Sequence, residues 1–340
     1  MRLTLLRSAV LMALASSAAV AAPTTLTGQP PVVINHRGAS GYLPEESVQA
    51  YQLSVAQRAD YLEGDVYLTT DGVPVMLHDG TLNATTNVVA YAASHPDILA
   101  LRSADGSYDV TKFTYAQVQQ LTATFRNAPG YGSDRQYYVP DFHYQIATLV
   151  QVADLAYSDF LATGIRIGVY PEAKQSGLAV ADAILATLND PKYNGYFSAS
   201  GSAILQSFDP AQVAYLNSLT AIPVTQLGVC PSSAAQAAQI AGFADGVGPS
   251  TSQTNAACVQ LAHDAGLFVH PYTFLNDPAQ YATFYNYGVD GVFTNFADIA
   301  KAARASIFVP EPASLLVLGL GLAGLIGDRA RRQAQQTRHA

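Results

Sequence analysis

The sequence predicts an α/β protein built as a TIM (β/α)8 barrel with an insertion after the second strand. Short apolar runs alternate with segments of helical spacing in eight steps between about residues 32 and 300. Polar residues suited to chemistry stand where the apolar runs end, which is where barrel sites are built. No G-x-G-x-x-G follows a strand, which argues against an open doubly wound sheet. A barrel of this kind takes about 250 residues, so the 340 residues here do not demand a second domain.

The first step runs from an apolar strand, Val32 to Asn35, through His36-Arg37-Gly38 and a loop to a helix from Ser47 to Ala59, with Ser47 as N-cap. Tyr61 to Val66 is the second strand. It carries Glu63 and Asp65 two apart, so both carboxylates project from one face. Asp71-Gly72 is a tight-turn signal that folds Pro74 to Leu77 back beside this strand and carries His78 toward the carboxylates. From Gly80 to about Phe160 the rhythm breaks; Asn, Thr, Tyr, Ser and Gly are frequent, and only Tyr115 to Leu121 and Ile146 to Ala156 have helical spacing. Residues 80–160 read as an insertion that caps the site, because so long a structureless loop is rare in a compact domain.

Alternation then resumes. Strands are expected at Ile165 to Tyr170, Ala203 to Ser207, Val224 to Gly228, Asp245 to Gly248, Leu267 to Tyr272 and Asp290 to Thr294. Between them lie helical segments at Leu178 to Leu188, Ala211 to Leu219, Ser233 to Ile240, Asn255 to Ala265 and Pro278 to Tyr287. The strand ending at Tyr170 leads into Pro171-Glu172-Ala173-Lys174.

Three carboxylates without a thiol, Glu63, Asp65 and Glu172, suit a hard cation such as Ca²⁺ or Mg²⁺ better than zinc. Histidines bind metals too, but the carboxylates suffice, which leaves His36 and His78 free to move protons. Arg37 and Lys174 supply donors for phosphate oxygens. Glu45 reads as an acid at a helix start and not a fourth ligand, and His270 as a core histidine. His95, His143 and His263 have no carboxylate constellation around them. The 20 tyrosines suggest packing or sugar contact.

A formal charge of -8, with no Lys/Arg stripe, excludes a nucleic-acid binder. The N-terminus reads as a signal peptide over residues 1–21, with Arg2 and Arg7 before an apolar run and Ala19-Val20-Ala21 at the cut, so the mature protein is expected to be exported. Export permits Cys230 and Cys258 to pair, and two separate buried thiols fit equally well. Near the C-terminus, Val309-Pro310-Glu311-Pro312 precedes an apolar run from Ala313 to Gly327 and then Arg329, Arg331 and Arg332. This tail, residues 309–332, resembles a PEP-CTERM sorting signal, which implies contact with a sorting enzyme or the membrane and a place in the periplasm or at the cell surface.

Residues 30–304 resemble the glycerophosphodiester phosphodiesterases, closest to the periplasmic bacterial type. The matching stretches are His36 to Glu45, Ala59 to Val66, Val75 to Asp79, Gly168 to Lys174, Leu205 to Asp209, Val269 to Phe274 and Asp290 to Asn295. The resemblance implies a TIM barrel with an insertion after the second strand. It makes Glu63, Asp65 and Glu172 ligands of one divalent cation, His36 and His78 the acid-base pair, Arg37 and Lys174 phosphate contacts, and Phe274 a wall beside the glycerol. Glu46 departs from the Asn or His often found after Pro-Glu, and Asn295 replaces a common Asp; both bear on substrate preference. The expected reaction is hydrolysis of a small phosphodiester to sn-glycerol 3-phosphate and an alcohol, through a cyclic phosphate. Two alternatives stand beside it: phospholipase D-like action on lysophospholipids, and a surface binding protein that has kept the barrel without turnover.

Overall fold

The computed structural model describes residues 24–199 and 201–308. The expected signal peptide and the sorting tail from residue 309 lie outside the described residues. The barrel opens with β1 (Val32–Asn35), α1 (Val48–Ala56) and β2 (Tyr61–Leu68), from which β3 (Pro74–Met76) folds back. The Ser47 side chain caps α1 by accepting from the Ala50 amide. β2 and β3 pair antiparallel, with Val66 opposite Met76 and Leu68 opposite Pro74, so the Asp71-Gly72 turn does fold the chain back on itself.

The insertion contains α2 (Val88–Ala92), α3 (Pro96–Leu99) and α4 (Tyr115–Val118). The first two carry no sequence signal, because a turn or so of helix is too short to display a 3.6-residue period. The insertion has its own core, in which Leu82, Val88, Ile98, Phe113, Val118 and Leu121 are wholly buried. The same cluster includes Tyr42, Leu43 and Phe296 from barrel loops, so the inserted segment is packed onto the barrel.

The helix expected from Ile146 to Ala156 is α5 (Leu149–Thr163). Thr148 and Gln151 form a capping box at its start, and Gly164, with φ 72°, ends it. Leu149, Val152, Ala153 and Ala156 are buried in the main barrel core, so α5 serves as the helix of the second barrel unit.

The remaining units are β4 (Gly168–Ala173), α6 (Ala179–Leu188), β5 (Leu205–Ser207), α7 (Pro210–Leu219), β6 (Val224–Leu227), α8 (Ala234–Ala241), β7 (Gly246–Gly248), α9 (Ala256–Asp264), β8 (Phe268–Val269), α10 (Pro278–Tyr287), β9 (Gly291–Thr294) and α11 (Ala297–Phe308). β4 begins three residues later than expected, since its register is fixed by β2, with Tyr61 opposite Gly168 and Val66 opposite Ala173. As a result Glu172 lies inside the strand. The closing helix α11 shows itself in the sequence only as small residues on one face, Ala297, Ala300 and Ala303, all buried.

Eight strands run parallel in the order β8-β7-β6-β5-β4-β2-β1-β9, a nearly closed barrel. β8 is shorter than the expected Leu267 to Tyr272, because Pro271 has no N–H for a ladder. The last seam is bridged by irregular backbone hydrogen bonds, Asp290 N to Val269 O at 2.9 Å, Phe293 N to Pro271 O at 3.0 Å and Phe274 N to Phe293 O at 2.8 Å. Inside the barrel His270 is buried, 3.2 Å from the Tyr170 hydroxyl, and burial lowers it to about 4, so it is a neutral core histidine. Cys230 and Cys258 form a disulfide that ties the loop after β6 to α9.

Candidate active site

The β2–β4 register sets the site. Asp65 stands opposite Glu172, and Glu172 opposite Gln206 of β5. Glu63 projects from the same face of β2 one pleat earlier. Each of Glu63, Asp65 and Glu172 offers an oxygen within 4.8 Å of the others, and all three are buried. Between the first two, Gly64 leaves room for α1: a Cβ there would fall on the Tyr51 hydroxyl and Met76, and within 2.6 Å of the Glu46 carboxylate.

The loop after β1 wraps over the carboxylates. Arg37 takes the left-handed conformation with φ 56°, which turns its N–H to donate to Glu63 Oε2 at 2.8 Å. Its Nε lies 3.2 Å from Asp65 Oδ2, and its Nη1 donates to Glu45 Oε1 at 3.1 Å. Lys174 Nζ lies 3.4 Å from Asp65 Oδ1 and 3.3 Å from Glu172 Oε1. Gln206 Nε2 donates to Glu63 Oε1 at 2.9 Å.

The electrostatics follow from this crowding. Burial, then Asp65, pushes Glu63 up to about 8, and the same two causes hold Glu172 well above the usual carboxylate range. Burial would raise Asp65 as well, but Lys174 and Arg37 overcome it and hold Asp65 low. Fully ionised, the three carboxylates would outnumber Arg37 and Lys174 by one charge in a buried place, and without an ion the raised Glu63 and Glu172 take up protons instead. The buried Asp65 Oδ2, close to Arg37 but not aligned with its N–H, has no hydrogen-bond donor among the described residues. A divalent cation fits this donor set, since it wants hard oxygens and would answer both the orphaned oxygen and the surplus charge.

The two histidines have different surroundings. His36 is buried, and its Nδ1 lies 2.8 Å from Asn295 Oδ1. Asn295 Nδ2 donates to the Gly130 carbonyl at 3.1 Å, which leaves Oδ1 to accept from His36 Nδ1–H and makes Nε2 the bare nitrogen. Burial, then Arg37, lowers His36 well below an ordinary histidine, so it is a neutral base. His78 is part-exposed, and its Nδ1 lies 2.8 Å from Asp79 Oδ1. That carboxylate orients the ring.

These seven residues, His36, Arg37, Glu63, Asp65, His78, Glu172 and Lys174, line one cavity of about 170 Å³. Phe274 does not. It is wholly buried, stacked on Tyr281 at 5.1 Å with Phe284 on its edge, because the irregular backbone after β8 turns it into the core. The apolar wall consists of Phe208, Leu227, Tyr272 and Phe293. The Phe208 ring carries Lys174 Nζ 5.4 Å from its centre.

Glu45 is neither ligand nor helix-start acid. It is buried between Arg37 and Arg126, and the Arg126 Nε and Nη2 donate to it at 2.8 to 3.1 Å. Glu46 adopts φ 59°, accepts the Asp65 amide at 2.9 Å and bonds the Tyr51 hydroxyl, so it props β2 from behind. Sequence reasoning missed Gln206, Asp79 and Arg126. Gln206 and Asp79 each lie within a matched stretch, whereas Arg126 has no local signal, since only the folded insertion brings it to the barrel mouth. His95 stacks on Tyr91, His143 bonds Thr122 and His263 bonds Asp290, all away from the cavity.

Comparison with known proteins points to one family. Residues 36–299 match the model of the glycerophosphoryl diester phosphodiesterase family, and residues 308–332 match the PEP-CTERM protein-sorting motif. A glycerophosphodiester phosphodiesterase of Bacillus subtilis (strain 168) is 28% identical over 277 residues, which is 79% of this chain and 84% of that protein. One from Haemophilus influenzae is 34% identical over 218 residues, 61% of this chain and 57% of that protein. Among solved structures, an Oleispira antarctica phosphodiesterase in complex with the product sn-glycerol-3-phosphate superposes with a TM-score of 0.62 at 24% identity. That alignment covers 82% of this chain and 99% of the other. At that identity the likeness speaks for the barrel fold.

Proposed function

The chain belongs to the glycerophosphoryl diester phosphodiesterase family, and from that premise we propose that it is a metal-dependent hydrolase of glycerophosphodiesters working through His36 and His78. The observation that carries this reading is the charge balance of the cavity. Ionised, as ligands of a cation would be, Glu63, Asp65 and Glu172 against Arg37 and Lys174 leave one negative charge. A divalent ion, Ca²⁺ or Mg²⁺, converts that into one positive charge, the complement of a singly charged phosphodiester.

Glu63, Asp65 and Glu172 would hold the ion, which when bound draws charge from a phosphate oxygen. Arg37 and Lys174, which line the same cavity, would offer donors to the remaining phosphate oxygens. The bare Nε2 of His36 takes the proton of the glycerol 2-hydroxyl. As that oxygen bonds to phosphorus, the bond from phosphorus to the alcohol oxygen breaks, and His78 gives the departing oxygen its proton. Water then opens the cyclic phosphate with the roles reversed: His78 takes the water proton, and His36 returns its own to the 2-oxygen. The products are sn-glycerol 3-phosphate and the free alcohol. The buried position of Glu63, Asp65 and Glu172 strengthens these charge interactions relative to water.

The PEP-CTERM match and the Cys230–Cys258 disulfide support a place outside the cytoplasm, in the periplasm or at the cell surface, with the tail meeting a sorting enzyme or the membrane.

Purified protein with added Ca²⁺ or Mg²⁺, incubated separately with glycerophosphocholine and lysophosphatidylcholine, tests the reading. Choline and sn-glycerol 3-phosphate from the first substrate are expected. Choline from lysophosphatidylcholine alone would make this a phospholipase D-like enzyme, and no release from either would leave a binding protein. A substrate analogue without the 2-hydroxyl should not be cleaved; cleavage at the same rate would remove the cyclic route.

A further inference from the structure

The side chains that orient the two histidines are themselves held by one short segment of the insertion. On one side, Arg126 Nη2 donates to Asp79 Oδ2 at 2.8 Å, while Asp79 Oδ1 holds His78 Nδ1 at 2.8 Å. On the other, the Gly130 carbonyl accepts Asn295 Nδ2 at 3.1 Å, while Asn295 Oδ1 holds His36 Nδ1 at 2.8 Å. The segment is fixed in between. Gly132 N donates to Ser40 O at 2.8 Å, and the Ser40 hydroxyl donates to His36 O at 2.7 Å. The Tyr131 ring lies 5.6 Å from the Arg37 guanidinium and 5.8 Å from that of Arg126. Gly130, at φ 82°, passes so close to Leu275 that a Cβ would collide with it.

We infer that residues 126–132 form a positioning strap for the acid-base pair, in which Arg126 orients His78 through Asp79 and the Gly130 carbonyl selects the His36 tautomer through Asn295. This rests on the two-histidine reading given above. The chemistry demands such a device. His36 acts as a base only if its proton sits on Nδ1, and an amide turned the wrong way would offer that nitrogen an N–H instead of an acceptor. A carboxylate bonded through one oxygen swings about its Cβ–Cγ bond, whereas Asp79 is gripped at both oxygens. Arg126 suits this double role because its planar fork spans Glu45 and Asp79 together, a reach that an ammonium cannot copy.

Steady-state kinetics on glycerophosphocholine with saturating cation test the strap. Arg126→Met is expected to lower kcat about tenfold to a hundredfold, the usual effect of losing a group that orients a site residue, with KM within about twofold. Asp79→Asn, at a part-exposed carboxylate that does not threaten the fold, should give a loss of the same size. Because the Arg126–Asp79 contact is lost in both, the double variant should lose less than the product of the two single losses. Combining Arg126→Met with Asn295→Leu should multiply the two losses, since these belong to separate arms. Unchanged kcat in Arg126→Met would overturn the inference. So would losses that multiply in the Arg126–Asp79 double variant, or a fall in cation affinity by calorimetry that matches the loss of rate. His78→Ala separates the two levels. If it keeps full activity, the two-histidine reading fails and the strap with it; if it is inactive while Arg126→Met is unimpaired, only the strap fails.

Discussion

Asp65 and Glu172 face each other across the β2–β4 ladder, with Lys174 Nζ 3.4 Å from one carboxylate and 3.3 Å from the other. Two buried acids side by side repel, and a single ammonium cannot satisfy both along with Glu63. The proposed cation would relieve that repulsion, so the case for it rests on strand register as well as residue type.

Chelation should therefore affect both activity and fold. EDTA is expected to abolish alcohol release and to lower Tm, because the ion binds only the native carboxylate cluster. The fall in Tm should be larger at pH 8 than at pH 5. Burial and Asp65 raise Glu63 to about 8, so at pH 5 a proton can take the place of part of the missing charge, and that stabilisation is lost as pH rises through the folded value. Differential scanning fluorimetry with and without EDTA at the two pH values checks this, and an equal or smaller loss at pH 8 would count against it.

The pH dependence of kcat/KM should show a base that works in acid. Burial and Arg37 depress His36 well below the ordinary histidine value of about 6.5, so it stays unprotonated there. The acidic limb of the profile is expected to fall well below pH 6.5. A limb at or above that value would assign it to another group.

The disulfide should matter for stability and not for rate. Closing Cys230 to Cys258, 28 residues apart, restricts the unfolded chain by about 3–4 kcal/mol on the chain-entropy relation. Neither cysteine lines the cavity. A variant with both changed to Ser should unfold at lower urea with kcat preserved, and loss of kcat in the folded variant would show that the loop after β6 shapes the site.

Much of the fold was legible because the pattern was local. Strands such as Val32–Asn35 and helices such as Pro278–Tyr287 begin and end at residues that announce themselves, and the spacing of Glu63 and Asp65 alone puts both on one face. What escaped depends on distant partners. The position of β4 is fixed by its neighbour β2, and Phe274, which the family resemblance makes a cavity wall, is turned inward by the backbone beyond Pro271. Glu45 resembles an acid that starts a helix, yet it is buried between two arginines, one of them 81 residues away. Such relations have no signature in a single chain's local sequence.

In the mechanism proposed here histidines and carboxylates have separate tasks, and activity measured against cation concentration in His36→Ala, His78→Ala and Glu63→Ala tells the two apart. Either histidine variant should lose about 10²-fold to 10⁴-fold in kcat while binding Ca²⁺ or Mg²⁺ with nearly unchanged affinity, and excess cation should restore nothing. Glu63→Ala should bind the cation weakly and regain part of its activity at high concentration, because only a ligand has been lost. If His36→Ala lost cation affinity and recovered with added metal, His36 would be a ligand and the division of labour proposed here would be contradicted.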